Sequence, residues 1–253
     1  MSSARDVTSD SGPTEGPLGT PQGYEADPSP YSGTANLEAM EAAHNYHRFL
    51  ASLVLRHADP ARRVLDFGAG TGTHVRALRA RGLQVCCVEP DPQLRRRLEQ
   101  DGFRVEANVL EYGSEAFASI YSINVLEHLE DDAAALRELF RATEPGGRVI
   151  LYVPAFQLLF SAMDRTVGHL RRYRDRQLAA LVHEAGFRVT HCGYVDSLGF
   201  LATLCYRLLP ETGTLNSGKV AFYDRFIFPP SKALDRLTTR WFGKNLLVVA
   251  RRD

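Results

Sequence analysis

One stretch limits the fold more than any other: Val64-Leu65-Asp66-Phe67-Gly68-Ala69-Gly70-Thr71-Gly72-Thr73. Its apolar start suits a strand buried in a sheet. The glycines at every second position then allow a sharp turn and a close approach of backbone to a ligand. The polar run that follows opens a helix, whose first N–H groups face whatever lies beyond the strand's carboxyl end. The same alternation recurs downstream. Apolar runs at 84–88, 103–105, 118–124 and 148–153 are separated by Arg/Glu/Ala-rich helical segments near 73–81, 91–100 and 131–142. Short apolar strands alternating with helices predict an α/β fold, a mostly parallel sheet covered on both faces.

The flanks read differently. Residues 1–35 are dominated by Ser, Thr, Gly, Pro, Asp and Glu, a composition that buries too little surface to order itself, so a mobile tail is expected there. From residue 37 to 56, Leu37, Met40, Tyr46, Phe49, Leu50, Leu53 and Val54 recur at three- and four-residue intervals, predicting a helix. A second helix is expected at 174–185, stopped by Gly186, then strands at 188–194 and 245–250. Between them, 197–240 holds an apolar helical stretch (198–209), turn-formers near 213–218 and Pro229-Pro230. This insertion reads as a cap over the sheet's ligand edge, or alternatively as the surface of a homodimer. Residues 36–253 then form one domain.

Composition narrows the partners. Hydrophobic residues make up 44% of the 253, enough for a packed core. Thirty basic side chains balance thirty acidic ones, which argues against a nucleic-acid partner or an anionic membrane surface. No apolar run reaches the ~18 residues of a membrane span, and no secretory signal is visible, so the expected location is cytoplasmic. Cys86, Cys87, Cys192 and Cys205 lack metal-like spacing, and no other spacing demands an ion, so no metal is expected.

The ligand class follows from three positions. Glu89 closes the second apolar run nineteen residues after Gly70, where an acid accepts hydrogen bonds from ribose hydroxyls. Thr73 stands where a dinucleotide fingerprint requires its third glycine, which disfavours a nicotinamide-dependent oxidoreductase. Asp66 would repel a pyrophosphate but suits a cationic amino-acid group. An adenosine carrying an ammonium and a sulfonium answers all three.

Asp66–Gly72, Glu89, Ile123-Asn124-Val125-Leu126-Glu127-His128-Leu129 and Pro145-Gly146-Gly147 together resemble the class I S-adenosylmethionine (SAM)-dependent methyltransferases. The resemblance implies a Rossmann-like sheet of seven strands with the last antiparallel, SAM as methyl donor and S-adenosylhomocysteine (SAH) as product. It places Asp66, Gly68, Gly70 and Gly72 at the methionine end of SAM, Glu89 at the ribose, Asn108 with Val109 at the adenine, and Asn124 beside the sulfonium. The family usually carries an acid near Asn108, and a loop-capping Asn108 is the alternative. Tyr46 belongs to a helix that often forms a lid over SAM; a core-facing Tyr46 is equally compatible.

A second constellation follows the fifth strand. Gly168-His169-Leu170-Arg171-Arg172-Tyr173 resembles a bacterial subgroup of these enzymes that act on small molecules. With Asp164 it offers an imidazole, two guanidinium forks and a phenol, suited to an anionic or polyhydroxylated acceptor and to removing a hydroxyl proton. Its alternative is a solvated basic turn. His128 and His169 are the candidate bases. The expectation is methyl transfer to a hydroxyl of a natural-product or sugar-containing metabolite, with N- or carboxyl-methylation next and a non-catalytic SAM-binding protein as the contrary reading.

Overall fold

The computed structural model describes Met40, residues 42–206 and residues 217–253. The sequence readings for 1–35, for most of 37–43 and for 207–216 lie outside the described residues. The sheet has strands β1 (Arg63–Phe67), β2 (Gln84–Val88), β3 (Val105–Glu106), β4 (Phe117–Ile123), β5 (Thr143–Pro154), β6 (Arg188–Val195) and β7 (Asn245–Arg251). Their order is β3-β2-β1-β4-β5-β7-β6. β1 pairs parallel with β2 and β4, and β7 runs antiparallel between β5 and β6. The chain winds outward through β2 and β3, then returns to the other side of β1. That reversal opens a crevice beyond the carboxyl ends of β1 and β4, where open α/β sheets bind ligands.

Alternation along the strands builds the core. Leu65, Phe67, Val149, Leu151, Val153, Leu246, Val248 and Ala250 face one side, against α4 (Asp132–Ala142) and α6 (Asp175–Glu184). Val64, Ile150, Tyr152, Leu247 and Val249 face the other, against α1 (His44–His57) and Leu78 of α2 (Thr73–Arg79). A strand buried on both faces has to be apolar at every position, as β1, β5 and β7 largely are. α3 (Pro92–Gln100) covers the β2–β3 end through Leu98. α5 (Ala162–Thr166) is a short turn of helix after β5.

The insertion is more helical than its sequence suggested. It forms α7 (Ser197–Tyr206), α8 (Ser217–Phe222), a π-turn over Tyr223–Ile227 and α9 (Phe228–Thr238). Pro229-Pro230, which reads as a break, stands in the first turn of α9 directly after the π-turn, and the chain stays helical through both prolines. Its acids hold it in place. Asp224 accepts from the Asn45 and Tyr46 backbone N–H groups at 2.8 Å each, capping α1 from 178 residues away. Asp235 accepts from Asp196 and Ser197 N–H at 2.8 Å each and so caps α7. Phe228 packs on Phe49 of α1, ring to ring at 5.6 Å.

Candidate active site

At the end of β1 the chain turns through Gly68, Gly70 and Gly72, with φ of +87°, +53° and +84°. Those angles favour glycine at all three. Close approach adds a second reason at Gly68, where a Cβ would run into the Val125 side chain. Gly68 and Ala69 donate to Val88 O at 2.9 and 3.0 Å, so the loop is pinned to the end of β2. Glu89 bridges loop and helix: its carboxylate accepts from Gly70 N–H at 2.7 Å and from Asp91 N–H at 2.9 Å. It is buried, and desolvation raises its pKa above the ordinary carboxylate value.

Asp66 sits on β1 directly beside Tyr121 of β4, and the Tyr121 phenol donates to it at 2.7 Å. Burial pushes the Asp66 carboxyl up to about 7, with the Tyr121 bond opposing and Glu89 adding to the rise. Tyr121 was not anticipated from sequence, although the register of neighbouring parallel strands dictates the pair. An apolar crevice of ≈ 50 Å³ next to the loop is lined by Phe67, Gly68, Val88, Asn108, Val109 and Val125. Asn108 heads the short 3-10 turn Val109–Tyr112: its side chain accepts from Leu110 N–H at 2.9 Å, and Glu111 accepts from Asn108 N–H at 3.0 Å. It caps this turn while lining the crevice. A larger hollow of ≈ 320 Å³ is walled by residues of α1 and α9 and includes none of these groups.

Asn124 follows β4 in left-handed conformation, φ +54°, and donates its N–H to Tyr152 O at 2.8 Å. Tyr46 packs edge-on to Tyr152 and Phe228, with centroids 6.2 and 5.4 Å away. Burial raises its phenol to about 12, so it is a neutral hydroxyl at physiological pH. It is half-buried and packs on the edge of the core, as its core-facing reading expects.

The second constellation is rearranged relative to expectation. Arg172 is buried and spends its fork on Asp164, Nε to Oδ1 at 2.8 Å and a terminal nitrogen to Oδ2 at 3.0 Å. Arg171 pairs with Asp132 at 3.0 Å and donates to Glu130 O at 3.0 Å. Tyr173 is fully buried and donates to Asp132 Oδ2 at 2.7 Å and Leu126 O at 3.0 Å. Arg172 and Tyr173, expected to meet an acceptor, instead spend their polar groups inside the fold, while Arg171 is partly exposed and tied to the start of α4. Long polar side chains on one loop look alike in sequence, and only packing separates solvated forks from spent ones.

His169 is what they leave exposed to the site. Its Nδ1 lies 2.7 Å from Asp164 Oδ1 and its Nε2 lies 3.7 Å from Glu127 Oε1. Burial alone would raise the Asp164 carboxyl, but the bonds from His169 and Arg172 hold it well below the usual carboxylate range. It is thus a full negative charge that keeps the His169 proton on Nδ1. His128 stacks edge-on to His169 at 4.7 Å. Burial and the neighbouring His169 lower it to about 4, so it is neutral at physiological pH. Glu127, passed over as a mere neighbour of His128 in the sequence, is 0% exposed, and burial pushes its carboxyl up to about 8. The absence of metal-like spacing said nothing about this trio, because His169 joins it from 41 residues away.

Known proteins resemble this chain in sequence and in fold. The family described as methyltransferase domain matches residues 42–192. Malonyl-[acyl-carrier protein] O-methyltransferase of Halorhodospira halophila is 29% identical over 193 residues, 68% of this chain and 63% of its own. A demethylmenaquinone methyltransferase of Renibacterium salmoninarum is 28% identical over 48% of this chain and 52% of its own. The chain spans about half to two thirds of the length of these curated relatives. Among solved structures, a geranyl diphosphate C-methyltransferase from Streptomyces coelicolor, in complex with Mg2+, geranyl diphosphate and SAH, superposes with TM-score 0.55 at 16% identity, covering 81% of this chain and 77% of that one. That likeness shows the fold. Sheet order, glycine loop and a family match over more than half of the chain converge: the chain belongs to the SAM-dependent methyltransferase domain family.

Proposed function

We propose that this protein transfers the methyl group of SAM to a hydroxyl oxygen of a small natural-product or sugar-containing metabolite, releasing SAH. The donor side rests on the glycine loop, Asp66 for the ammonium and Glu89 for the ribose hydroxyls, with the Val109 crevice for adenine. The sulfonium carries the chemistry, so the protein's task is to align acceptor oxygen and methyl for in-line displacement.

The observation that carries the hydroxyl reading is the Asp164–His169 pair at the carboxyl edge of the sheet, 2.7 Å apart. An ionised carboxylate holding one imidazole nitrogen leaves the other as a proton acceptor, which a hydroxyl acceptor needs and a carboxylate does not. In the step itself, the hydroxyl proton passes to His169 Nε2, the O–CH3 bond forms and the S–CH3 bond breaks. The test is labelled methyl transfer from SAM to a panel of hydroxylated, amine and carboxylate metabolites. Label on hydroxyl oxygens is expected, with turnover reduced on the order of 10²–10⁴-fold in His169→Ala while SAH affinity holds. Label only on amines or carboxylates would overturn the reading. The described parts of 197–240, packed on α1 and β6, are taken as the cap that completes the acceptor side. Among the described residues no helix is long and apolar enough to cross a membrane.

A further inference from the structure

Glu127, His128 and His169 each direct one ligand-type atom into a shared space, all within 4.8 Å of one another. Two further observations point to a ligand there. Glu127 is completely buried, and neither of its carboxylate oxygens is hydrogen-bonded to another of the described residues. A buried carboxylate left so is costly unless a cation or proton compensates it. His169, in turn, is oriented as metal-bound histidines are. Asp164 holds Nδ1 at 2.7 Å, and the Arg172 fork holds Asp164, so the Nε2 lone pair faces Glu127 Oε1 across 3.7 Å. Two such acceptors are reconciled by a shared proton in the ion-free chain, or by a cation that displaces it. The span suits two bonds of about 2.0–2.2 Å to one ion.

We propose that Glu127, His128 and His169 Nε2 bind a divalent first-row transition-metal ion whose remaining coordination positions face the methyl acceptor. Two imidazoles and one carboxylate on a site with open positions suit Zn2+, Mn2+, Fe2+ or Co2+ better than Ca2+ or Mg2+. Ion binding does not depend on the hydroxyl reading above; its catalytic use does. A hydroxyl bound at the open position loses its proton to solvent near neutral pH. The metal-held oxygen then forms the O–CH3 bond as the S–CH3 bond breaks and SAH leaves. In the loaded protein His169 is a ligand, and the metal takes over the acidification otherwise assigned to it.

Co2+ titration of the full, untagged chain after removal of metal with EDTA tests this, read by visible d–d absorption and by melting temperature. A saturable band at one Co2+ per chain is expected, with a raised melting temperature. Glu127→Gln should weaken Co2+ binding at least tenfold, and Asp164→Asn roughly 10- to 100-fold through the loosened imidazole. Near-UV circular dichroism and SAH affinity report whether each variant keeps its fold. If Glu127→Gln fails to fold, His169→Gln, whose side chain is 16% exposed, replaces it. No band in the wild type, or equal Co2+ affinity in folded Glu127→Gln or His169→Gln, overturns the site. Co2+ binding without any hydroxyl methylation would leave the ion site standing and remove the hydroxyl reading; hydroxyl methylation without Co2+ binding would do the reverse.

Discussion

At Glu89 a single carboxylate does two jobs, and this sets what its loss should do. It draws Gly70 N–H and Asp91 N–H onto its two oxygens, and the resemblance also gives it the ribose hydroxyls. Glu89→Ala should therefore lower SAM affinity at least tenfold, since hydrogen bonds to a charged acceptor contribute about 1.5–3 kcal/mol each; calorimetric titration with SAH measures it, and unchanged affinity would show the acid assignment wrong. Asp66 makes a pH-dependent partner. Its carboxyl, raised to about 7, is largely protonated in mildly acid solution and cannot then hold an ammonium as an ion pair. SAM affinity should rise as the pH climbs through about 7, and Asp66→Asn should flatten that profile. Both residues were legible in the sequence because each sits at a fixed offset from the glycines. Arg171, Arg172, Tyr173 and Asp164 were legible only as a cluster; that Arg172 would pair with Asp164, and Arg171 and Tyr173 with Asp132 and Leu126 of other elements, no spacing announces.

Helices and strands show a different dependence. α1 begins at His44 without a capping side chain of its own, and Asp224 supplies both bonds from the π-turn. Asp224→Ala should cost about 1–2 kcal/mol of stability, the scale of a lost N-cap, and thermal denaturation will show it. α1 should loosen most, with faster amide exchange at Asn45 and Tyr46. Tyr173 offers the complementary case. Tyr173→Phe removes the bonds to Asp132 and Leu126 at the start of α4 and should lower stability by about 1–3 kcal/mol, with SAH affinity unaltered. A phenol that touched the ligand would give the opposite pattern. The strands, α1 to α4, α6 and α7 were readable from periodicity and composition, whereas α5, α8 and α9 were not. Pro229-Pro230 reads as a helix breaker, yet here the helix passes through it by way of the π-turn just before it, which no local pattern announces.

Across the whole molecule, four buried groups pull stability in opposite directions with pH. His74 and His128 are held neutral, lowered to about 3 and about 4 by burial, so the unfolded chain binds more protons and stability is lost as the pH falls below the ordinary histidine range. Asp66 and Glu127 are raised by burial to about 7 and about 8; the folded chain holds their protons longer, and stability is lost as the pH rises toward those values. The two pairs oppose each other below pH ~6.5, where histidines titrate in the unfolded chain. Above it only the acids remain. The ligand-free melting temperature should then fall by a few degrees as the pH rises through about 7 to about 8, and Glu127→Gln should remove much of that slope. The sequence by itself determined the alternating strands and helices, the glycine loop and the acid that follows it, because these rest on local backbone freedom, on period-2 burial and on short fixed offsets. Only the tertiary structure decided which of the polar side chains after β4 and β5 are spent and which face the site. Burial and partners brought together across 41 residues of chain make Glu127, His128 and His169 one cluster, and they turn Arg172 inward to hold the carboxylate that aims it.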